Sequence, residues 1–412
     1  MPLFYRLLTY TILFSSIRML IGGYSSLYLI NHGLSIADIS FLKAFQGVVI
    51  VLIQIPIGFL IDHHKNRYPF ILLSIFLAAI WLFLTGVSNT AFGFYTAELF
   101  NGVSLAIFNA VMLPILVETY SHETGKDDYN HTLGKFFKYQ NLLMAISVIL
   151  GSTFVNITSR YIWLISALLL LGIGLFSMLT KDVKKFYFQT IHTPQKKAKP
   201  HFIDIFSQVK SNNLTILLLA NVALITIFQI LAQFWQIIIY HYLGKDISYA
   251  LVYGLFFSII LMLQALGSYW AEKHNSLYLS LLCVFLLIVS MGYLTIYSES
   301  YSRGIIPIGV FLMSFVLFKY PSVIVSALIH KNIGNEIRAT FDSILSTLSM
   351  LASILIFSLV GVLLNKFGNN VILLSLTALS MISLICITSY LFKIQHELKN
   401  RVEDGSLLDH PL

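Results

Sequence analysis

The sequence predicts an all-α membrane protein of twelve transmembrane helices in two six-helix bundles. Three observations predict it. The first is composition: of 412 residues, 57% are hydrophobic, 14% aromatic and only 11% charged. A soluble protein is about 25% charged, and so few charges cannot cover a water-facing surface. The same aliphatic and aromatic richness excludes a disordered chain. The second is a series of twelve apolar stretches, each near the ~20 residues that cross a bilayer. The third is one long polar segment, 181–213, with six stretches on either side.

In order, the stretches are 5–30, 36–60, 69–88, 92–118, 136–156, 161–180, 214–240, 249–270, 277–297, 304–329, 338–364 and 371–392. The first is too long for a signal-peptide core and has no small-residue cleavage site, so it reads as a helix. Loop charges set the orientation. With the N-terminus in the cytoplasm, nineteen Lys and Arg residues fall on that side, and only Arg160, Lys245, Arg303 and Lys366 on the other. Both termini are therefore expected in the cytoplasm. The abundance of Lys, Asn and Ile points to a bacterial inner membrane. The net charge of +8, from 26 Lys+Arg against 18 Asp+Glu, reflects this topology and implies no nucleic-acid partner.

The expected organisation is a first bundle over 1–180, a basic cytoplasmic linker over 181–213, a second bundle over 214–392 and a cytoplasmic tail over 393–412. Two equal halves suggest internal duplication. The linker, with Pro194, Pro200 and its lysines, reads as a solvated segment that touches anionic lipid. Cys283 and Cys386 lie inside apolar runs with no ligand-spaced neighbours, so they read as small buried hydrophobes.

The loop after the second stretch reads Gly58-Phe-Leu-Ile-Asp62-His-His-Lys65-Asn-Arg67, and the eleventh stretch opens Glu336-Ile-Arg338-Ala339-Thr340. Both motifs, with the six-plus-six layout, resemble the major facilitator superfamily over the whole chain. Gly267 to Lys273 is a degraded echo of the first motif in the second half. The resemblance implies alternating access, with helices 1, 4, 7 and 10 around a central cavity. It also implies a cytoplasmic gate from Gly58, Asp62 and Arg67, joined by Arg338. An Asp there can cap a neighbouring helix dipole and pair with a base. His63 and Lys65 depart from the family pattern, which weakens the gate or makes it pH-sensitive. Glu98 stands where drug antiporters of the family commonly carry a base, and the Gly-Pro signature of their helix 5 is absent, since Gly151-Ser152 has no proline.

Four charges fall deep inside predicted helices: Arg18, Lys43, Glu98 and Lys319. Such charges cost several kcal/mol near the bilayer centre (~2.5–3.5 at the least), so they face a cavity or a partner. Arg18 belongs to a polar stripe on helix 1 with Thr11, Ser15 and Gly22. Glu98 and Asn101 share a face of helix 4. Gln229, Gln233 and Gln236 group on helix 7, beside Trp235. Lys319 shares a face of helix 10 with Ser322 and Ser326. Lys43 lies at the depth of Glu98. Glu98 thus reads either as a structural ion pair with Lys43 or Arg18, or as a protonatable coupling residue. Lys319 either pairs with Asp342 or contributes a free positive charge. Three buried bases against one deep acid favour an anionic or zwitterionic substrate.

The sequence carries no Walker loop, no His/Cys metal cluster and no Ser–His–Asp arrangement, so no enzyme and no cofactor is expected. The expected activity is secondary active transport of a small organic solute, proton-coupled through Glu98. The solute is expected to be an anionic or carboxylate-bearing metabolite, siderophores included. Arg18, Asn101, Gln233, Trp235, Gln236 and Lys319 are its candidate contacts. Multidrug efflux by drug–proton antiport and lipid or glycolipid translocation are the alternatives. Expected partners are the small-molecule substrate, protons and membrane lipid, and the expected state is a monomer.

Overall fold

Inside a bilayer the backbone finds no water, so an apolar stretch satisfies its own N–H and C=O groups as a helix. The computed structural model describes residues 3–63, 68–124, 129–155, 160–179, 214–243, 250–299, 304–332, 338–368 and 370–403. In the first half these form α1 (Leu3–Arg18), α2 (Ser25–Asn31), α3 (Ile36–His63), α4 (Tyr68–Val87), α5 (Ala91–Thr124), α6 (Tyr129–Val155) and α7 (Tyr161–Leu179). The second half has α8 (Leu214–Leu243), α9 (Ala250–Lys273), α10 (Leu277–Glu299), α11 (Ile305–Lys331), α12 (Arg338–Phe367) and α13 (Asn370–Glu403).

Together α1 and α2 make one crossing, and eleven crossings are long and apolar enough to span a membrane among the described residues. The twelfth is α6. It is 27 residues long, but its first half carries His131, Lys135, Lys138, Gln140 and Asn141. An even number of crossings puts both termini at one end of the molecule, the termini end; the opposite end is the far end.

The predicted linker 181–213 lies outside the described residues. The predicted tail begins at 393, but α13 runs on to Glu403. Hydropathy marks where a helix leaves the apolar layer, and Lys393, Gln395, Glu397 and Lys399 are good helix formers in water. For the same reason α5 outlasts its apolar stretch and α6 starts before its own.

The first helix departs most from expectation. The stretch 5–30 is broken by a 3₁₀ turn, Met19–Ile21, in which Gly22 N–H donates to Met19 O (3.0 Å) and Tyr24 N–H to Ile21 O (3.0 Å). Gly22 and Gly23 are poor helix formers, and the neighbours demand their small size. A Cβ on Gly151 of α6 would stand 1.8 Å from the Leu20 carbonyl oxygen. One on Gly23 would stand 2.5 Å from Ser152 Oγ and 2.9 Å from Gly254 Cα. The backbone of the break therefore rests directly on α6 and α9.

Within the first half, α5 packs against α3 and α4, α4 against α7, and α1 against α6. In the second, α13 packs against α8 and α10, and α11 against α9 and α10. The halves meet along α6 on α9 and α3 on α12. Met144, Ala145 and Val148 of α6 lie in the hydrophobic core of the second half. On the α3–α12 contact, a Cβ at Gly47 would reach Ile354 Cγ1 at 2.7 Å, and Gln54 Nε2 donates to Ser346 Oγ (2.9 Å).

Candidate functional site

Two of the four helices that carry polar stripes, α1 and α5, place those residues in one network with Lys43 of α3. Arg18 closes α1, while Lys43 and Glu98 sit about two turns from the far ends of α3 and α5. Lys43 Nζ pairs with Glu98 Oε1 at 3.0 Å. Asn101 Nδ2 donates to Glu98 Oε2 (2.8 Å), and Arg18 Nη2 donates to Asn101 Oδ1 (2.5 Å). The guanidinium can only donate, so it fixes the amide oxygen toward itself and the NH2 toward the carboxylate. Arg18, Glu98 and Asn101 are all buried. Lys43 is partly exposed and also reaches Gln46 Oε1 at 3.4 Å. The Arg18 guanidinium lies over the Trp81 ring at 4.5 Å from its centroid and 5.3 Å from that of Phe14. Both rings belong to the first half, so the charge is held within that half.

On α8, Gln236 is fully buried and reads the broken first helix by its backbone. Its Oε1 accepts from Ser26 N–H (3.1 Å), and its Nε2 donates to Gly22 O (3.1 Å). It thereby ties the two halves together toward the far end. Trp235 stacks on Phe257 with centroids 4.8 Å apart and planes 6° apart, and Phe257 Cε1 would lie 2.7 Å from a Cβ on Gly22. Gln233 is half-buried and makes no hydrogen bond among the described residues.

Lys319 on α11 stands apart from the network. Its Nζ lies 4.7 Å from the centroid of Phe137 on α6, and its stem packs where a Cβ on Gly267 would meet it at 3.0 Å. No carboxylate of the described residues lies within 4 Å of it. The Asp342 side chain, its expected partner, lies outside the described residues. One turn beyond Phe137 on α6, Gln140 Nε2 donates to Ser15 Oγ of α1 (2.7 Å).

Of the predicted gate, Arg67 lies outside the described residues. Gly58 and Asp62 fall on α3 and Arg338 opens α12, with their side chains outside the description. Sequence reading missed Trp81, Phe137, Gln54 and the Gly151–Leu20 contact. The one available signal was the buried Arg18, which required more than a carboxylate to accommodate its five N–H donors.

Two helical halves joined by helix-on-helix seams, with polar groups along their facing helices, fit the class of secondary transporters of small solutes. The chain belongs to the Major Facilitator Superfamily, whose family model matches residues 7–356. Comparison with curated proteins gives no match. Two similar solved structures are crystal structures of the nucleoside transporter NupG. One is 14% identical with a TM-score of 0.68, covering 95% of this chain and 98% of that one. The other, an aspartate-to-alanine mutant, is 12% identical with a TM-score of 0.68, covering 93% and 99%. At such identities the likeness shows the fold.

Proposed function

We propose that the chain carries a small organic anion or carboxylate-bearing metabolite by alternating access of its two halves, coupled to protons at Glu98. The observation that carries the substrate class is Lys319, a cation inside α11 with an aromatic ring of the opposite half as its described partner. An ammonium inside a membrane helix, with no carboxylate of the described residues within 4 Å, attracts an anion the more strongly the less water screens it. Arg18, engaged by Asn101 and Trp81, plays the lesser part toward solute. Gln233 supplies a hydrogen bond from α8. Glu98 has two cations bearing on it, one direct and one through Asn101, so a shift of either exchanges proton for ion pair.

A nucleoside, the cargo named for the two similar structures, is the competing reading, and the Trp235–Phe257 stack against the broken first helix favours it. The test is transport in proteoliposomes under an imposed pH gradient, with carboxylates, nucleosides and lipophilic cations as parallel solutes. Carboxylate uptake falling tenfold or more in Lys319→Gln supports the anionic reading, while nucleoside transport indifferent to Lys319→Gln overturns it. Glu98→Gln is expected to lose uphill accumulation and keep solute exchange at equal pH. Equal loss of both would remove Glu98 from coupling.

A further inference from the structure

The outer surface beside the α6–α9 seam changes character toward the termini end, where α6 begins and α9 stops. On α6, Leu143, Ile146 and Leu150 are exposed, and on α9 Ile259, Met262 and Leu266. Spacings of three and four residues put each set on one helix face. A wholly apolar exposed face on a spanning helix meets lipid tails. Toward the termini end both faces turn aromatic and basic. There α6 presents Lys138 and Tyr139, and α9 presents Tyr269, Trp270 and Lys273, all exposed. Tyr and Trp gather at the level of lipid headgroups. Lysine stems lie along apolar surface while their ammonium groups reach out of it.

The two lysines meet at one ring. Lys138 Nζ lies 6.0 Å from the Tyr269 centroid, and Lys273 Nζ lies 5.9 Å from the same centroid. Lys138 Nζ is also 5.9 Å from the centroid of Tyr139, so the two faces stand side by side. Among the described residues neither ammonium has a carboxylate within 4 Å, although Glu272 is exposed beside Lys273 in sequence. At such distances a ring holds a cation loosely, and the three N–H donors of each ammonium remain for an acceptor. The two like charges repel each other, and an oxyanion that reaches both removes the repulsion. The flexible stems allow both to close on it. Lys138 belongs to the first half of the molecule, and Tyr269 and Lys273 to the second.

We propose that this patch binds one anionic phospholipid, with its phosphate between Lys138 and Lys273, Tyr269 and Trp270 flanking the headgroup, and its acyl chains along the two apolar faces. Inorganic phosphate offers the charge without the chains, so the lipid is the occupant. Because the lysines come from opposite halves, the bound lipid favours states in which the halves are close at the termini end. A state that parts α6 from α9 there splits the site and binds the lipid less well. The site shares no residue with the proposed solute contacts, so it stands or falls apart from the transport reading.

The experiment uses the purified full chain, stripped of lipid in a neutral detergent. It is titrated with mixed micelles of phosphatidylglycerol, with mixed micelles of phosphatidylcholine, or with inorganic phosphate, while thermal unfolding is followed. A ligand of the folded state raises stability by mass action. The expected result is a saturable rise in Tm with phosphatidylglycerol, at a midpoint tenfold or more below that of phosphatidylcholine. One lysine near an anionic lipid counts for about fivefold in binding, so Lys138→Gln and Lys273→Gln are each expected to raise the phosphatidylglycerol midpoint about fivefold. Lys138→Arg and Lys273→Arg are expected to keep it. Lys366→Gln, at the far end of α12, is expected to leave it unchanged. A midpoint unchanged in either Lys138→Gln or Lys273→Gln overturns the bridged site. An equal shift in Lys366→Gln also overturns it, since bulk charge then explains the effect. A response to phosphatidylcholine or to inorganic phosphate equal to that of phosphatidylglycerol overturns the assignment to an anionic lipid.

Discussion

The two halves carry the same architecture and treat buried charge in opposite ways. In the first, Arg18, Asn101, Glu98 and Lys43 form a continuous relay in which a carboxylate separates two cations. In the second, Lys319 stands on α11 against a ring of the other half. A relayed charge is part of the scaffold, because moving one member leaves the others unpaired. A charge resting on a ring can turn to a new partner at small cost, since a cation–π contact is worth about 0.5–2 kcal/mol. The lesson is that a charge inside the membrane takes its character from its partners. The first half ties its charges to one another, and the second leaves Lys319 on a ring, where the proposed solute would meet it.

The sharpest way to break the comparison is Glu98→Ala. Removing one partner of a buried pair costs about 3–5 kcal/mol, and here two cations lose their acid. A large fall in the thermal midpoint is expected, and an unchanged midpoint would show the relay to be dispensable. The seam between the halves comes next. In Gly151→Ala the new methyl collides with the Leu20 carbonyl, and overpacking costs about 1–3 kcal/mol. That cost falls on the state in which the break rests on α6, so the far end should open more often. Thiol labelling of Ser25→Cys, with Cys283 and Cys386 replaced, should accelerate about tenfold or more. The smallest effect on stability is expected for Lys319→Gln, within the 0.5–2 kcal/mol of the lost ring contact, despite its loss of transport. A destabilisation matching that of Glu98→Ala would make the two halves alike.

The helices and their grouping were legible because a bilayer imposes its thickness on the sequence as apolar runs. The Lys43–Glu98 pair was legible as one of two options, since both residues lie about two turns into their helices. The choice between them depended on Asn101, whose amide fills the gap to Arg18, and no spacing along the chain encodes that gap. Trp81 was hidden in a uniformly apolar run, where its face toward Arg18 is set by how α4 packs. The break at Met19–Ile21 was hidden as well. Gly22 and Gly23 permit it, but Gly151 and Gly254, far away in sequence, give it a surface to rest on. Gln236 read as a solute contact because an amide in a membrane helix needs a partner, and its partner is the backbone that this break frees.

The polar first half of α6 bears on how the molecule is made. As an isolated segment α6 partitions poorly into lipid, and its main packing partner, α9, begins at Ala250. The ribosome must therefore add some 95 residues after Val155 before that partner starts to emerge, roughly 5–20 s of synthesis at 5–20 residues per second. Through that interval α6 is expected to wait beside the translocon or lie shallow in the headgroups until α9 gives it a surface to pack on. The nascent chain is thus committed to its membrane topology only after the second half has begun, and a chain truncated within α9 is expected to leave α6 accessible to protease.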